Sequence, residues 1–159
     1  MVLVYIGIGA NLGEPRAAVL AAIDECRLID RTRLSAVSSL YRSAPIDSSG
    51  PDYVNAVVAA ETALTALELL TALQHIEARH GRRRPYRNAP RSLDLDLLMY
   101  GQEVIDLPDL IIPHPRLHKR SFVLVPLIEL ASRLEIPGRG LAEHWLAEVT
   151  DQAIERIPD

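Results

Sequence analysis

Apolar residues along the chain follow two rhythms. Val2 to Ile8 is a short, almost continuous apolar run, which predicts a buried strand. From Pro15 to about Ile29 the spacing becomes helical, with Val19, Leu20, Ile23 and Cys26 on one stripe and Pro15 at the helix start. Arg33 to Arg42 sets Leu34, Val37, Leu40 and Tyr41 among serines and predicts a second strand. Asp52 to Thr62 predicts a third, on which Tyr53 and Asn55 share a face. Thr65 to His80 returns to helical spacing through Leu67, Leu70, Leu73 and Ile76. Gln74 and Glu77 are three apart and share a face near the end of that helix. Asp94 to Tyr100 predicts a fourth strand, followed after a short turn by the apolar Leu110-Ile111-Ile112. Phe122 to Ala131 reads as a helix interrupted near Pro126, and the rest, through Trp145, as a short helix and a tail.

The order strand–helix–strand–strand–helix–strand predicts an α+β ferredoxin-like sandwich, a mainly antiparallel sheet with helices on one face. Gly7, Gly9 and Gly13 surround Asn11 and read as turn glycines, but their intervals do not match a dinucleotide-binding fingerprint. Ser43–Pro51 and Gly81–Pro90 read as loops. At 159 residues, with no visible repeat or linker, one domain over 1–159 is expected.

Charge changes the picture at one place. The net charge of −4 argues against nucleic-acid binding, which needs a broadly basic surface. Yet Ala78 to Leu93 contains no acidic residue and holds six of the 17 lysines and arginines. A second basic cluster follows the rigid Pro113-His114-Pro115, at Arg116, His118, Lys119 and Arg120. The single cysteine, Cys26, excludes an internal disulfide and reads as a buried, inert thiol. No apolar run reaches membrane-spanning length and the N-terminus has no basic leader, so a soluble cytoplasmic protein is expected.

The basic stretch runs directly into Asp94-Leu95-Asp96-Leu97. On a strand, Asp94 and Asp96 point the same way, ~6–7 Å apart, while Leu95 and Leu97 face a core. Two carboxylates on one face of an apolar strand repel each other. A hard divalent cation relieves this, and Mg2+ characteristically combines one or two carboxylates with substrate phosphates. The nearby arginines suit the remaining phosphate charge. Together these residue types point to a nucleoside triphosphate with Mg2+; the competing reading is a solvated strand face beside a soluble basic loop.

The stretch Ala89-Pro90-Arg91-Ser92-Leu93-Asp94-Leu95-Asp96-Leu97-Leu98-Met99-Tyr100-Gly101 closely resembles the signature of the 6-hydroxymethyl-7,8-dihydropterin pyrophosphokinase family. The resemblance runs from Tyr5-Ile6-Gly7-Ile8-Gly9-Ala10-Asn11-Leu12-Gly13 to about Leu130. It implies transfer of pyrophosphate from ATP to the pterin hydroxymethyl group, with release of AMP, in folate biosynthesis. Asp94 and Asp96 match the aspartates that hold two Mg2+ ions. Arg82 and Arg91 match catalytic phosphate contacts, and Arg84 a further nucleotide-binding arginine. Gln74, Glu77, Leu97, His114 and Arg120 match other ATP-site positions. The pterin is implied against Ser43, Ala44, Ile46, Tyr53, Asn55 and Phe122, with Tyr53 and Phe122 sandwiching the ring and Asn55 reading its edge.

Four positions depart from the family pattern. Asn88-Ala89 stands where many members carry a loop tryptophan, Asp109 where some have arginine, Ile111 where some have threonine, and Pro115 where an aromatic follows the histidine. The resemblance further implies loops that close over the substrates, and a monomer is expected. The alternative is a non-catalytic ligand-binding module on the same fold.

Overall fold

The computed structural model describes residues 1–46, 50–81 and 93–158. In chain order its elements are β1 (Val2–Ala10), α1 (Pro15–Cys26), β2 (Thr32–Val37), β3 (Tyr41–Ser43), β4 (Tyr53–Thr62), α2 (Ala66–Gly81) and β5 (Asp94–Tyr100). The hairpin β6 (Ile105–Leu107) and β7 (Leu110–Ile112) leads through a 3-10 turn, Leu117–Lys119, into α3 (Ser121–Leu130). The ribbon β8 (Glu135–Ile136) and β9 (Gly140–Leu141), a 3-10 helix, Ala142–Val149, and β10 (Ile154–Arg156) complete the chain. The main sheet runs β10-β3-β4-β1-β5, with β2 also on β4, and every pairing is antiparallel. The expected ferredoxin-like order is present.

Helices cover both faces of this sheet rather than the single face expected. Val4, Ile6 and Ile8 of β1, Val54, Ala56 and Val58 of β4, and Leu95 and Leu97 of β5 pack on Val19 and Ile23 of α1 and Leu69, Leu73 and Ile76 of α2. On the opposite face Tyr5, Val57, Ala59, Leu98 and Met99 pack on Leu117 and on Val123, Leu124 and Leu127 of α3. Strands apolar on both faces show no alternation, so their sequence cannot reveal which face a helix covers. An irregularity in the β1–β5 pairing leaves Leu98 without a partner between Leu97 and Met99, so Leu98 and Met99 both enter the α3 side.

The helical stripes are rotated from those expected. Leu20 and Leu67 are largely exposed, while Ala22 and Leu69 are buried. Cys26 is fully buried, and burial pushes its thiol up to about 12, with the charge of Glu25 adding to the shift. The expected single strand at Arg33–Arg42 is broken. Ser38 exchanges hydrogen bonds with Val57, its N–H donating to the Val57 carbonyl and its Oγ accepting the Val57 N–H. Ser39 turns its N–H to the Glu129 carboxylate on α3, and Tyr41 donates its hydroxyl to the same carboxylate at 2.6 Å. Helix α3 runs unbroken through Pro126, which gives up only its bond to the Phe122 carbonyl. The expected tail is an ordered edge strand, β10.

Candidate active site

On the α3 side, the apolar cover ends where three strand segments meet. Gly9 of β1 pairs with Asn55 of β4 and Asp94 of β5, and Gly7 pairs with Asp96. These residues continue the same strand faces as Tyr5, Val57 and Leu98, but carry polar groups or no side chain. They form the floor of a cleft of about 450 Å³, walled by Ala44, Ile46, Tyr53, Phe122, Arg116, Lys119, Arg120 and Gln152 among others. That volume suits a small-molecule site.

Gly7 and Gly9 are therefore strand residues rather than turn residues; Gly13, at φ 62°, is the one in a left-handed turn. A Cβ on Gly9 would lie 3.1 Å from Asn55 Oδ1, tighter than ordinary contact. Glycine there lets the Asn55 amide lie close over the sheet.

Ala44, Ile46, Tyr53, Asn55 and Phe122 all line the cleft. Ser43 does not: it is buried, and its Oγ accepts a 2.7 Å hydrogen bond from Asn55 Nδ2. It thus holds the amide of Asn55 from behind. The Arg120 guanidinium lies 5.4 Å from the centre of the Phe122 ring, a cation–π distance. Burial raises the Tyr53 hydroxyl above its usual range; the charge of Asp94 adds to this and Arg120 opposes it. Tyr53 therefore senses both the carboxylate and the guanidinium.

Asp94 and Asp96 lie on one face, as alternation requires, with Leu95 and Leu97 in the opposite core. His114 Nε2 lies 3.9 Å from Asp96 Oδ1. Its Nδ1 accepts the Arg116 N–H at 3.1 Å, which leaves the ring proton on Nε2, toward Asp96. Burial lowers the His114 pKa; Asp96 opposes this, and Arg120, Arg116 and Arg139 reinforce it.

Glu77 accepts the N–H of Leu95 at 2.9 Å, tying the start of β5 to α2 between the two aspartates. Gln74 is exposed on α2, and neither residue lines the cleft. The side chain of Leu97 is core, so only its backbone is open to a ligand. Arg82, Arg84 and Arg91 lie outside the described residues, as does the Asn88-Ala89 departure. Of the second basic cluster, Arg116, Lys119 and Arg120 reach the cleft. His118 is instead buried, edge-on to Trp145 at 4.6 Å. Gly7, Gly9 and Gln152 are cleft residues that local sequence signals did not identify. The glycines carried a strand-floor signal only in their alternation with Ile6 and Ile8, and Gln152 carried none.

The arrangement joins a cleft lined by Tyr53 and Phe122 to a pair of carboxylates and a cationic wall. The 7,8-dihydro-6-hydroxymethylpterin-pyrophosphokinase model matches residues 5–132. A 2-amino-4-hydroxy-6-hydroxymethyldihydropteridine pyrophosphokinase of Pseudomonas aeruginosa is 47% identical across 98% of this chain and 96% of its own length. The protein of the same name from Haemophilus influenzae is 40% identical over 99% of both chains. Among solved structures, wild-type Plasmodium falciparum HPPK-DHPS superposes with a TM-score of 0.71 at 12% identity, a likeness of fold. That match covers 98% of this chain but 44% of the longer one. The chain belongs to the 7,8-dihydro-6-hydroxymethylpterin-pyrophosphokinase family.

Proposed function

We propose that this chain, acting over 1–159 as one catalytic domain, transfers pyrophosphate from ATP to 6-hydroxymethyl-7,8-dihydropterin in folate biosynthesis. The products are AMP and the pterin diphosphate. The observation that carries this reading is the meeting, in one cleft, of Tyr53, Asn55 and Phe122 with Asp94 and Asp96 on the same sheet face. A non-catalytic module is not favoured, because relatives at 40–47% identity over nearly the whole chain are pyrophosphokinases.

In this reading the pterin ring lies between Tyr53 and Phe122, and Asn55, oriented by Ser43, hydrogen-bonds its edge. Ala44 and Ile46 flank it. The hydroxymethyl oxygen then faces Asp94 and Asp96, where it attacks the β-phosphorus of ATP as the bond to the α-phosphate breaks. Arg120 and His114 neighbour the phosphates, with Arg82, Arg84 and Arg91 as further phosphate contacts and Gln74, Glu77 and the Leu97 backbone toward the nucleoside. Most of the rate enhancement comes from positioning and charge stabilisation.

Asp94 and Asp96 are hard oxygen donors on one face, and Asp96 retains 43% exposure, which fits Mg2+. We assign two ions to this pair; when bound, the metal neutralises phosphate charge. The enzyme is further proposed to be a cytoplasmic monomer. Among the described residues no helix is long and apolar enough to cross a membrane.

The deciding experiment incubates purified protein with ATP, Mg2+ and the dihydropterin and identifies products. AMP formed in step with pterin diphosphate, and abolished by chelation, is expected. ADP in place of AMP means attack at the γ-phosphorus and overturns the assignment, as does the absence of pterin-dependent turnover by folded protein.

A further inference from the structure

The family match ends at residue 132, yet a later segment returns to the cleft. Gln152 lines its wall. Its Oε1 accepts the Ser121 N–H at 2.8 Å, and its Nε2 donates to the Lys119 carbonyl at 2.8 Å. The Ser121 N–H is a first-turn donor of α3, of the kind that has no partner within its own helix. Arg120, at the N-cap, supplies no side-chain cap, so Gln152 provides it from 31 residues away.

The turn is otherwise held by Leu117, buried in the core, and by the Leu117 and Lys119 N–H groups, which donate to the carbonyls of His114 and Arg116. Ser121 Oγ and His118 Nδ1 are buried without a hydrogen-bond partner among the described residues, which disfavours the conformation. Two residues after Gln152, β10 pairs Ile154 with Ser43, the residue that orients Asn55. One short segment therefore touches both walls of the cleft.

We propose that Gln152 is a positioning residue for pterin binding: by clasping the Lys119–Ser121 turn, it holds Phe122 at its working distance from Tyr53 and Asn55. The inference rests on the function proposed above. The role demands a primary amide, because one acceptor and one donor are needed at the same place. A carboxylate keeps the acceptor but faces the Lys119 carbonyl with negative charge; a thioether of similar length supplies neither bond.

The test compares Gln152→Met and Gln152→Glu with wild type and with Asp151→Ala, an exposed neighbour that contributes nothing to the cleft. Steady-state kinetics are run at saturating ATP, with circular dichroism establishing the folded fraction. Gln152→Met is expected to raise KM for the dihydropterin roughly tenfold while kcat stays within about threefold. Gln152→Glu, which retains the cap on Ser121, falls between, and Asp151→Ala matches wild type. An unchanged pterin KM in folded Gln152→Met overturns the proposal, as does a loss that merely follows the folded fraction. Wild-type protein that forms no AMP overturns the function and this inference together; active wild type beside an unaffected variant overturns this inference alone.

Discussion

The two ends of the α3-facing side of the sheet are built by the same three strands and do opposite work. At one end Tyr5, Val57, Ala59, Leu98 and Met99 meet α3 in a dry core. At the other, Gly7, Gly9, Tyr53, Asn55, Asp94 and Asp96 hold a cleft open. The same three strands continue through both, so apart from the irregularity at Leu98 the difference lies in the side chains. Apolar groups attract a helix, while carboxylates and amides resist the desolvation that helix packing would impose. The covered end supplies rigidity, and the open end inherits it as fixed positions for polar groups.

Substitutions at the two ends should therefore separate activity from stability. The largest effect is expected at the open end: Asp96→Ala should lower kcat by ~10³-fold or more with little change in thermal stability. Near-normal turnover would remove Asp96 from the mechanism. The covered end should behave inversely. Leu127 is fully buried on α3, and Leu127→Ala should cost about 2–5 kcal/mol in denaturant unfolding. Folded Leu127→Ala should keep kcat/KM within about twofold; a large kinetic loss would mean that the two ends are not separable.

A smaller change sharpens the boundary between them. Gly9→Ala places a methyl group 3.1 Å from Asn55 Oδ1 without demanding an unusual backbone angle. Pterin affinity should fall about tenfold, ~1.4 kcal/mol, as read by calorimetric titration, with unfolding nearly unchanged. The smallest effect belongs to Glu129, which ties α3 to the broken edge at Ser39 and Tyr41. Burial alone would raise its pKa, but hydrogen bonds from Tyr41 and Ser39 outweigh this and hold it below the ordinary 4.5. A depressed carboxylate stabilises the fold above its unfolded value, and the contribution is lost as pH falls through the folded one. Glu129→Gln should therefore cost about 1 kcal/mol near neutral pH and progressively less in acid, measured by urea unfolding across pH. A constant difference across pH would exclude this carboxylate as the source.

Much of the open end was legible in the chain. Alternation alone put Asp94 and Asp96 on one face and Leu95 and Leu97 on the other, and likewise paired Tyr53 with Asn55. Those are neighbour relations, set by strand geometry. The functions read into Gly7 and Gly9 as turn residues were misplaced, because a glycine in a strand and one in a turn look alike until the partner strand is known. The first half of the stripe on α2 shifted by one residue, from Leu67 and Leu70 to Ala66 and Leu69, because a leucine-rich helix offers several faces and packing selects one. His118 was grouped with its basic neighbours, yet the 3-10 turn rotates it inward onto Trp145.

By itself the sequence determined the order of β1, α1, β4, α2, β5 and α3, the shared face of the aspartates and the local density of positive charge. All of these follow from repeat periods and composition within a few residues. The tertiary structure alone decided that α3 takes the second face of the sheet, that Ser43 stands behind Asn55, and that Gln152 closes the turn before α3. Each of those relations joins groups 12 to 100 or so residues apart in a chain of 159. Such pairings depend on which faces have buried their apolar surface and which donors burial has left without water. No local pattern encodes that balance, because it exists only once the layers have packed.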